Sequence, residues 1–226
     1  MANGPKTDLT YGEMYLLMYN FFQMLGWTAI FYTVFLHIVV EETNVGVYDA
    51  VSLLLKIFQT AAILEVVHCM TGLVRSSWVL TAFQVASRVF LVWGVTHSVK
   101  QTQDTLGVTL YIAAWTLTEV IRYGFYCCSI IENMPYILQW LRYTLFIGLY
   151  PLGVTGELMT IWKALPVVEK TGLYSLRLPN SINFGFDYHY FLIIVMLNYI
   201  PIFPQLYGHM LKQRRKIIGG QGKKTD

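Results

Sequence analysis

Leu149-Tyr-Pro-Leu-Gly-Val-Thr-Gly-Glu-Leu-Met-Thr160 places a tyrosine, Tyr150, and a carboxylate, Glu157, seven residues apart in an otherwise apolar stretch. Seven residues are close to two helical turns, so on a straight helix both side chains share one face, about 10 Å apart along the axis. Pro151, Gly153 and Gly156 lie between or beside them and loosen or bend such a helix. A carboxylate at membrane depth is costly, and residues of this kind face a bundle interior or a cavity where they have a task.

The composition sets the solvent. Of 226 residues, 55% are hydrophobic and only 13% are charged, about half the charge of an average soluble domain. The formal charge of +3 is too small to argue for nucleic acid, and six of the sixteen basic residues fall from Lys212 onward, so the excess belongs to a tail over 211–226. Cys69, Cys127 and Cys128 are too few and too apolar in setting for a disulfide framework and read as packed thiols. The first ten residues lack a short apolar core with a cleavage site, so no removable signal peptide is expected and the first span serves for targeting.

Apolar runs of about 20 residues mark membrane-crossing helices. The expected spans are Tyr15 to Val40, Tyr48 to Val67, Trp78 to Val95, Leu106 to Tyr126, Tyr136 to Ile161 and Tyr188 to Tyr207. The fold class is therefore an all-α, polytopic six-transmembrane-helix bundle, one domain over 1–226. Trp162 to Asp187 holds Pro166, Gly172, Pro179, Asn180 and Gly185 and reads as an interfacial loop. Six crossings put both termini on one side, which carries eight basic residues against four on the other, so the termini are expected in the cytosol. The final Lys223-Lys224-Thr225-Asp226 looks like a dilysine retrieval signal and points to the endoplasmic reticulum; the bland alternative is a basic tail drawn to anionic lipid.

Ionisable groups inside these spans include Lys56, Glu65, Arg88, Glu119, Arg122, Arg142 and Glu157. Glu119 and Arg122 are spaced to pair on one helical face. Glu65 stands near a helix end and can reach the interface. Arg88 and Arg142 have no partner close in sequence and must pair across helices, with Glu157 an available anion. A tyrosine and a desolvated carboxylate acting on an apolar substrate suit elimination of water from a β-hydroxyacyl thioester. That reaction needs a base for the proton α to the carbonyl and an acid for the departing hydroxyl. Glu157 serves as base and Tyr150, ordinarily protonated at neutral pH, as acid; residue types alone leave the reverse assignment open. Arg142 can polarise the thioester oxygen or hold Glu157 ionised. The site is expected in an internal cavity open to the cytosol and lined by the spans that carry Arg88, Glu119 and Arg122.

The stretch Tyr150 to Leu158 resembles the very-long-chain 3-hydroxyacyl-CoA dehydratases. So do Trp115-Thr-Leu-Thr-Glu-Val-Ile-Arg-Tyr123, Gly172 to Asn180, Phe186-Asp-Tyr188, Tyr199-Ile-Pro-Ile-Phe-Pro-Gln-Leu-Tyr207 and Gln213-Arg-Arg-Lys216. The similarity runs from the second span onward and is weak before it. It implies six spans in the endoplasmic reticulum membrane, cytosolic termini, and the third step of fatty-acid elongation, from 3-hydroxyacyl-CoA to trans-2-enoyl-CoA. The family's catalytic pair maps onto Tyr150 and Glu157, with Arg142 and Gly153 in supporting positions beside Arg88, Glu119 and Arg122. No metal or redox cofactor is implied; coenzyme A arrives on the substrate. The implied partners are the long-chain 3-hydroxyacyl-CoA, membrane lipid, and the condensing enzyme and reductases of the same cycle.

One signature competes. Val67-His-Cys-Met-Thr-Gly-Leu-Val-Arg-Ser-Ser77 has the His68-Cys69 to Arg75 spacing of the tyrosine phosphatase loop, in which backbone N–H groups and the arginine bind phosphate and stabilise a thiolate. A phosphatase, or a non-catalytic phosphoprotein-binding scaffold, is the alternative reading. Against it, this stretch joins two membrane spans, whereas the phosphatase loop joins a strand to a helix. The helix-end reading treats Cys69 as a packed thiol.

Overall fold

The computed structural model describes residues 6, 8–176, 178–179, 181 and 183–218. The dilysine at Lys223-Lys224, and Arg177 and Asn180, lie outside them. Helix α1 (Tyr11–Glu41) opens with a capping box in which the Thr10 hydroxyl accepts from the Glu13 N–H and the Glu13 carboxylate accepts from the Thr10 N–H. Helices α2 (Val47–Ala61) and α3 (Ile63–Met70) follow almost continuously, and α4 (Trp78–Phe90) runs on as a π-helical segment over Leu91–His97. After a 3₁₀ turn at Lys100–Thr102 come α5 (Leu106–Ile130), α6 (Tyr136–Thr144), α7 (Phe146–Thr171) and α8 (Tyr188–Ile218). No strand occurs among the described residues, only an isolated bridge between Leu176 and Phe186.

The all-α expectation holds, but the count of six spans is not reproduced. Four segments are long and apolar enough to cross a membrane: Tyr11–Glu41, Val47–Met70, Trp78–His97 and Tyr188–Ile218. Helices α6 and α7, bent by 43° at Leu145, make a fifth if taken as one span. Helix α5 has the length but not the hydropathy, and its place explains why. It packs most extensively on α7 and α1 at the centre of the bundle. Its Thr109, Thr116 and Glu119 are therefore buried against other helices instead of facing lipid.

The expected loop from Trp162 is corrected as well. Helix α7 continues through Pro166 to Thr171. Proline removes one backbone hydrogen bond, yet Ile161, Ala164, Leu165 and Val168 are buried at helical spacing on the core, and that burial outweighs the lost bond. Gly172, in the left-handed region at φ 64°, ends the helix.

Two close approaches set the height of α7 against α5. A Cβ on Gly156 would lie 2.6 Å from both the Gly107 carbonyl oxygen and the Tyr111 backbone nitrogen. A Cβ on Gly107 would meet the Gly156 carbonyl oxygen at 2.9 Å. Only glycine at these positions lets the two backbones touch. Helix α8 then runs antiparallel to α7, with His189 Nδ1 against the Leu165 carbonyl at 3.2 Å and Phe146 and Tyr207 edge to face at 5.9 Å.

Candidate active site

Glu157 follows Gly156 directly, so the glycine contact delivers its carboxylate to α5. There Trp115 Nε1–H donates to Glu157 Oε1 at 2.9 Å. From the other side, the Tyr199 hydroxyl of α8 donates to Glu157 Oε2 at 2.7 Å. Both carboxylate oxygens are thus held by donors from two further helices, each 42 residues away along the chain. A buried anion needs this kind of satisfaction, and neutral donors meet it here in place of the expected arginine.

Tyr150 lies two turns toward the N-terminal end of α7, half-buried. Its ring stacks on Phe203 (centroids 5.1 Å apart, planes 5° apart) and on Tyr207 (6.3 Å, 12°), and Phe203 stacks on Tyr207 in turn. Its hydroxyl hydrogen-bonds to no described residue. Pro151 has no N–H to offer the Ile147 carbonyl one helical turn earlier, and the Tyr207 hydroxyl donates to that carbonyl at 3.2 Å. The proline therefore helps fix α8 beside Tyr150. Gly153 sits on the α5 side, where a Cβ would make ordinary contact, 3.5 Å from Ala114 Cβ.

Behind this pair runs a continuous ionic network. Glu119 is 1% exposed and accepts from both Arg88 and Arg122, the latter from Nη2 at 2.6 Å, so the i,i+3 pair is present. Arg122 also forks onto Glu65, with Nη1 at 2.7 Å and Nη2 at 2.9 Å. Glu65, expected at the interface, is instead drawn inward, and the Tyr123 hydroxyl donates to it too. Arg88 lies over the Trp115 ring at 4.5 Å. Glu65, Arg122, Glu119, Arg88 and Trp115 thus lead by contact to Glu157. Lys56 is separate, 5.5 Å over the Trp93 ring.

Arg142 is not brought to Glu157. It belongs to α6, beyond the 43° bend, and makes no ion pair or hydrogen bond with any described residue. Among the protein's pockets, one of about 70 Å³ lies beside Val168, Asp187 and His189 and one of about 380 Å³ beside Gln101, Lys163 and Lys170. Both are at the far end of α7 from Tyr150. Arg88 and Arg122 each contact Glu119 directly. Among the described residues, no group of three or more His, Cys, Asp or Glu side chains is placed to hold a metal ion.

The competing motif does not form a phosphate cradle. Cys69 lies in the last turn of α3, its Sγ 3.6 Å from the Thr81 hydroxyl, and buried His68 bonds the Tyr15 hydroxyl at 2.9 Å. The N–H groups of Thr71, Gly72, Val74 and Ser76 already donate to the carbonyls of Val67, Cys69, His68 and Val74. A phosphate loop requires those donors to be free and convergent. Arg75 is exposed.

Trp115 and Tyr199 are the site residues that sequence reasoning passed over. Each stands in a stretch noted for its resemblance, but nothing along the chain says that either meets Glu157, because the contacts depend on how α5 and α8 pack against α7.

Residues 59–220 match the family model for protein tyrosine phosphatase-like protein, PTPLA. Very-long-chain (3R)-3-hydroxyacyl-CoA dehydratase 2 of Mus musculus is 54% identical over 90% of this chain and 80% of its own length. A Caenorhabditis elegans very-long-chain (3R)-3-hydroxyacyl-CoA dehydratase is 48% identical over 94% of this chain and 98% of its own. Very-long-chain (3R)-3-hydroxyacyl-CoA dehydratase PASTICCINO 2 of Arabidopsis thaliana is 39% identical over 91% and 93%. No solved structure matches the chain. With its family model covering α3 to α8 and relatives aligned over nine-tenths of its length, this chain belongs to the protein tyrosine phosphatase-like, PTPLA, family.

Proposed function

We propose that the protein removes water from very-long-chain 3-hydroxyacyl-CoA to give trans-2-enoyl-CoA, with Glu157 as base and Tyr150 as acid. Glu157 takes the proton from the carbon α to the thioester, and that C–H electron pair becomes the new carbon–carbon π bond. The β-carbon–oxygen bond breaks, and the departing hydroxyl takes the Tyr150 proton and leaves as water. Return of the proton from Glu157 to the Tyr150 oxygen restores both groups. Trp115 and Tyr199 hold the carboxylate oxygens, and Arg88, anchored by Glu119 and Arg122, adds positive charge where the enolate oxygen develops.

The observation that carries this reading is a carboxylate gripped by donors from two other helices, two turns along α7 from a tyrosine whose hydroxyl hydrogen-bonds to no described residue. It occurs in a chain 54% identical to a protein named for this activity. Tyr199 already spends its proton on Glu157, which favours Tyr150 as the acid. The break at Leu145 also supports it: counted from Phe146, Tyr150 is about 6 Å and Glu157 about 16 Å along α7. Those depths suit a thioester that descends from one membrane face while its polar coenzyme stays in water.

The broader setting belongs to the same proposal: one domain of six helices across the endoplasmic reticulum membrane, with α5 as the polar central crossing, both termini in the cytosol, and the condensing enzyme and reductases of fatty-acid elongation as neighbours. Purified protein is assayed with a long-chain 3-hydroxyacyl-CoA by formation of the enoyl product. Tyr150→Phe and Glu157→Gln are expected to lose turnover while Cys69→Ser retains it. Turnover that survives both substitutions, or disappears with Cys69→Ser alone, sinks the reading.

A further inference from the structure

The basic residues beyond the Tyr150 end of the α7–α8 pair have no role in the elimination step. Beyond Tyr207, which sits against Ile147 and Phe146 at the start of α7, helix α8, which also packs on α6, continues for eleven residues past the start of α7. This overhang carries Lys212, Arg214, Arg215 and Lys216; α6 carries Arg142. None of the five makes an ion pair among the described residues.

Two features distinguish this group from an ordinary basic helix end. Arg142 comes from a different helix, is half-buried and makes no ion pair among the described residues. Arg214 has its Nε buried without a hydrogen-bond partner among the described residues. Cations at the last turn of a helix suit its dipole, and a basic tail is drawn to anionic lipid, but both roles are met by guanidinium groups that stay at the rim. Burying an unpaired donor is unfavourable, and the cost is offset when a ligand supplies the acceptor.

The spacing identifies that ligand. Arg214 is 15 residues beyond Tyr199, about 22 Å along α8, and Tyr199 touches the proposed base. In a coenzyme A thioester the sulfur and the first phosphorus are joined by thirteen bonds, about 16 Å when extended at the per-bond reach of a polypeptide. A few ångströms separate the sulfur from the reacting α-carbon, and an arginine reaches several more. We propose that Arg142 and Arg214, with Lys212 and Arg215 around them, form the seat for the phosphorylated nucleotide end of the coenzyme A thioester, between α6 and α8. The inference rests on the dehydratase reading for the position of the thioester. Guanidinium groups from two helices suit it because each can bond a phosphate through two parallel N–H groups.

The test compares a long-chain 3-hydroxyacyl-CoA with the matching N-acetylcysteamine thioester, which keeps the reacting atoms and drops the nucleotide. Arg142→Gln and Arg214→Gln are each expected to lower the preference for the coenzyme A thioester, as a ratio of kcat/KM values, about tenfold, and together about a hundredfold. Most of the change is expected in KM. Arg214→Lys recovers part of the preference, which a folding defect would not explain. Adenosine 3′,5′-bisphosphate, titrated without turnover, is expected to bind the wild-type protein and to lose affinity in the double variant. An unchanged preference, or equal losses on both thioesters, overturns the seat. So does a double variant that loses affinity only for phosphatidylserine vesicles, which would assign these arginines to lipid. Wild-type protein that binds the bisphosphate but dehydrates neither thioester supports the seat and refutes the dehydratase reading; failure on both counts refutes both.

Discussion

Gly156→Ala tests how the site is aimed, because the structure puts that single methyl group against backbone. The new Cβ would lie 2.6 Å from the Gly107 carbonyl oxygen and 2.6 Å from the Tyr111 nitrogen, neither of which can rotate away. Relief to ordinary contact requires α5 and α7 to part by about 0.8 Å, and overpacking of this kind costs about 1–3 kcal/mol. The same shift stretches the bond from Trp115 on α5 to Glu157 on α7, now 2.9 Å, to about 3.7 Å, which is no longer a hydrogen bond. Loss of a donor to a charged group is worth about 1.5–3 kcal/mol, or roughly 10- to 100-fold in rate if the carboxylate is the base. Thermal unfolding in detergent and turnover of a long-chain 3-hydroxyacyl-CoA read the two effects separately. Gly148→Ala, on the same helix with nothing within 4 Å of the added methyl, is the control, expected to match or exceed wild-type stability through better helix propensity. If Gly156→Ala melts and turns over like wild type, the glycine contact does not set the height of Glu157 and the reasoning fails.

Tyr199→Phe keeps the ring but removes the second donor to Glu157; turnover is expected to fall about tenfold or more with little change in melting temperature, checked by steady-state kinetics and a thermal melt. Glu119→Gln leaves Arg88 and Arg122 without their shared anion, and breaking a buried ion pair from one side costs about 3–5 kcal/mol, so the expected result is a large loss of folded protein by size-exclusion profile and melt. Tyr207→Phe removes the donor to the Ile147 carbonyl and is expected to cost about 1 kcal/mol. In a Pro151→Ala background, where residue 151 regains its own N–H, the same substitution is expected to cost less, a coupling that a double-mutant cycle of melting free energies measures.

Much of the architecture is a matter of composition along the chain. Long apolar runs with few charges must become helices in a bilayer, since no other open segment satisfies its own backbone there. That is why α1, α2 with α3, α4 and α8 were legible from hydropathy. Tyr150 and Glu157 were legible for the same reason, because a lone carboxylate in an apolar run is conspicuous, and Glu119 with Arg122 was legible because i,i+3 spacing is local. The extension of α7 through Pro166 was obscured by a breaker whose effect is small beside the burial of Ile161, Ala164, Leu165 and Val168. The inward turn of Glu65 depended on an arginine 57 residues away.

The sequence by itself determined an all-helical membrane chain, a tyrosine and a carboxylate two turns apart within one apolar stretch, and a surplus of buried charge that had to be neutralised. Only the tertiary structure decided what meets what: Trp115 and Tyr199 on Glu157, Arg88 and Arg122 on Glu119, Arg142 left beyond the bend. Helical period and hydropathy are properties of neighbours along the chain. A hydrogen bond between side chains 42 residues apart depends on the rotation and height of two packed helices, and here a contact between Gly107 and Gly156 sets that height for the α5–α7 pair.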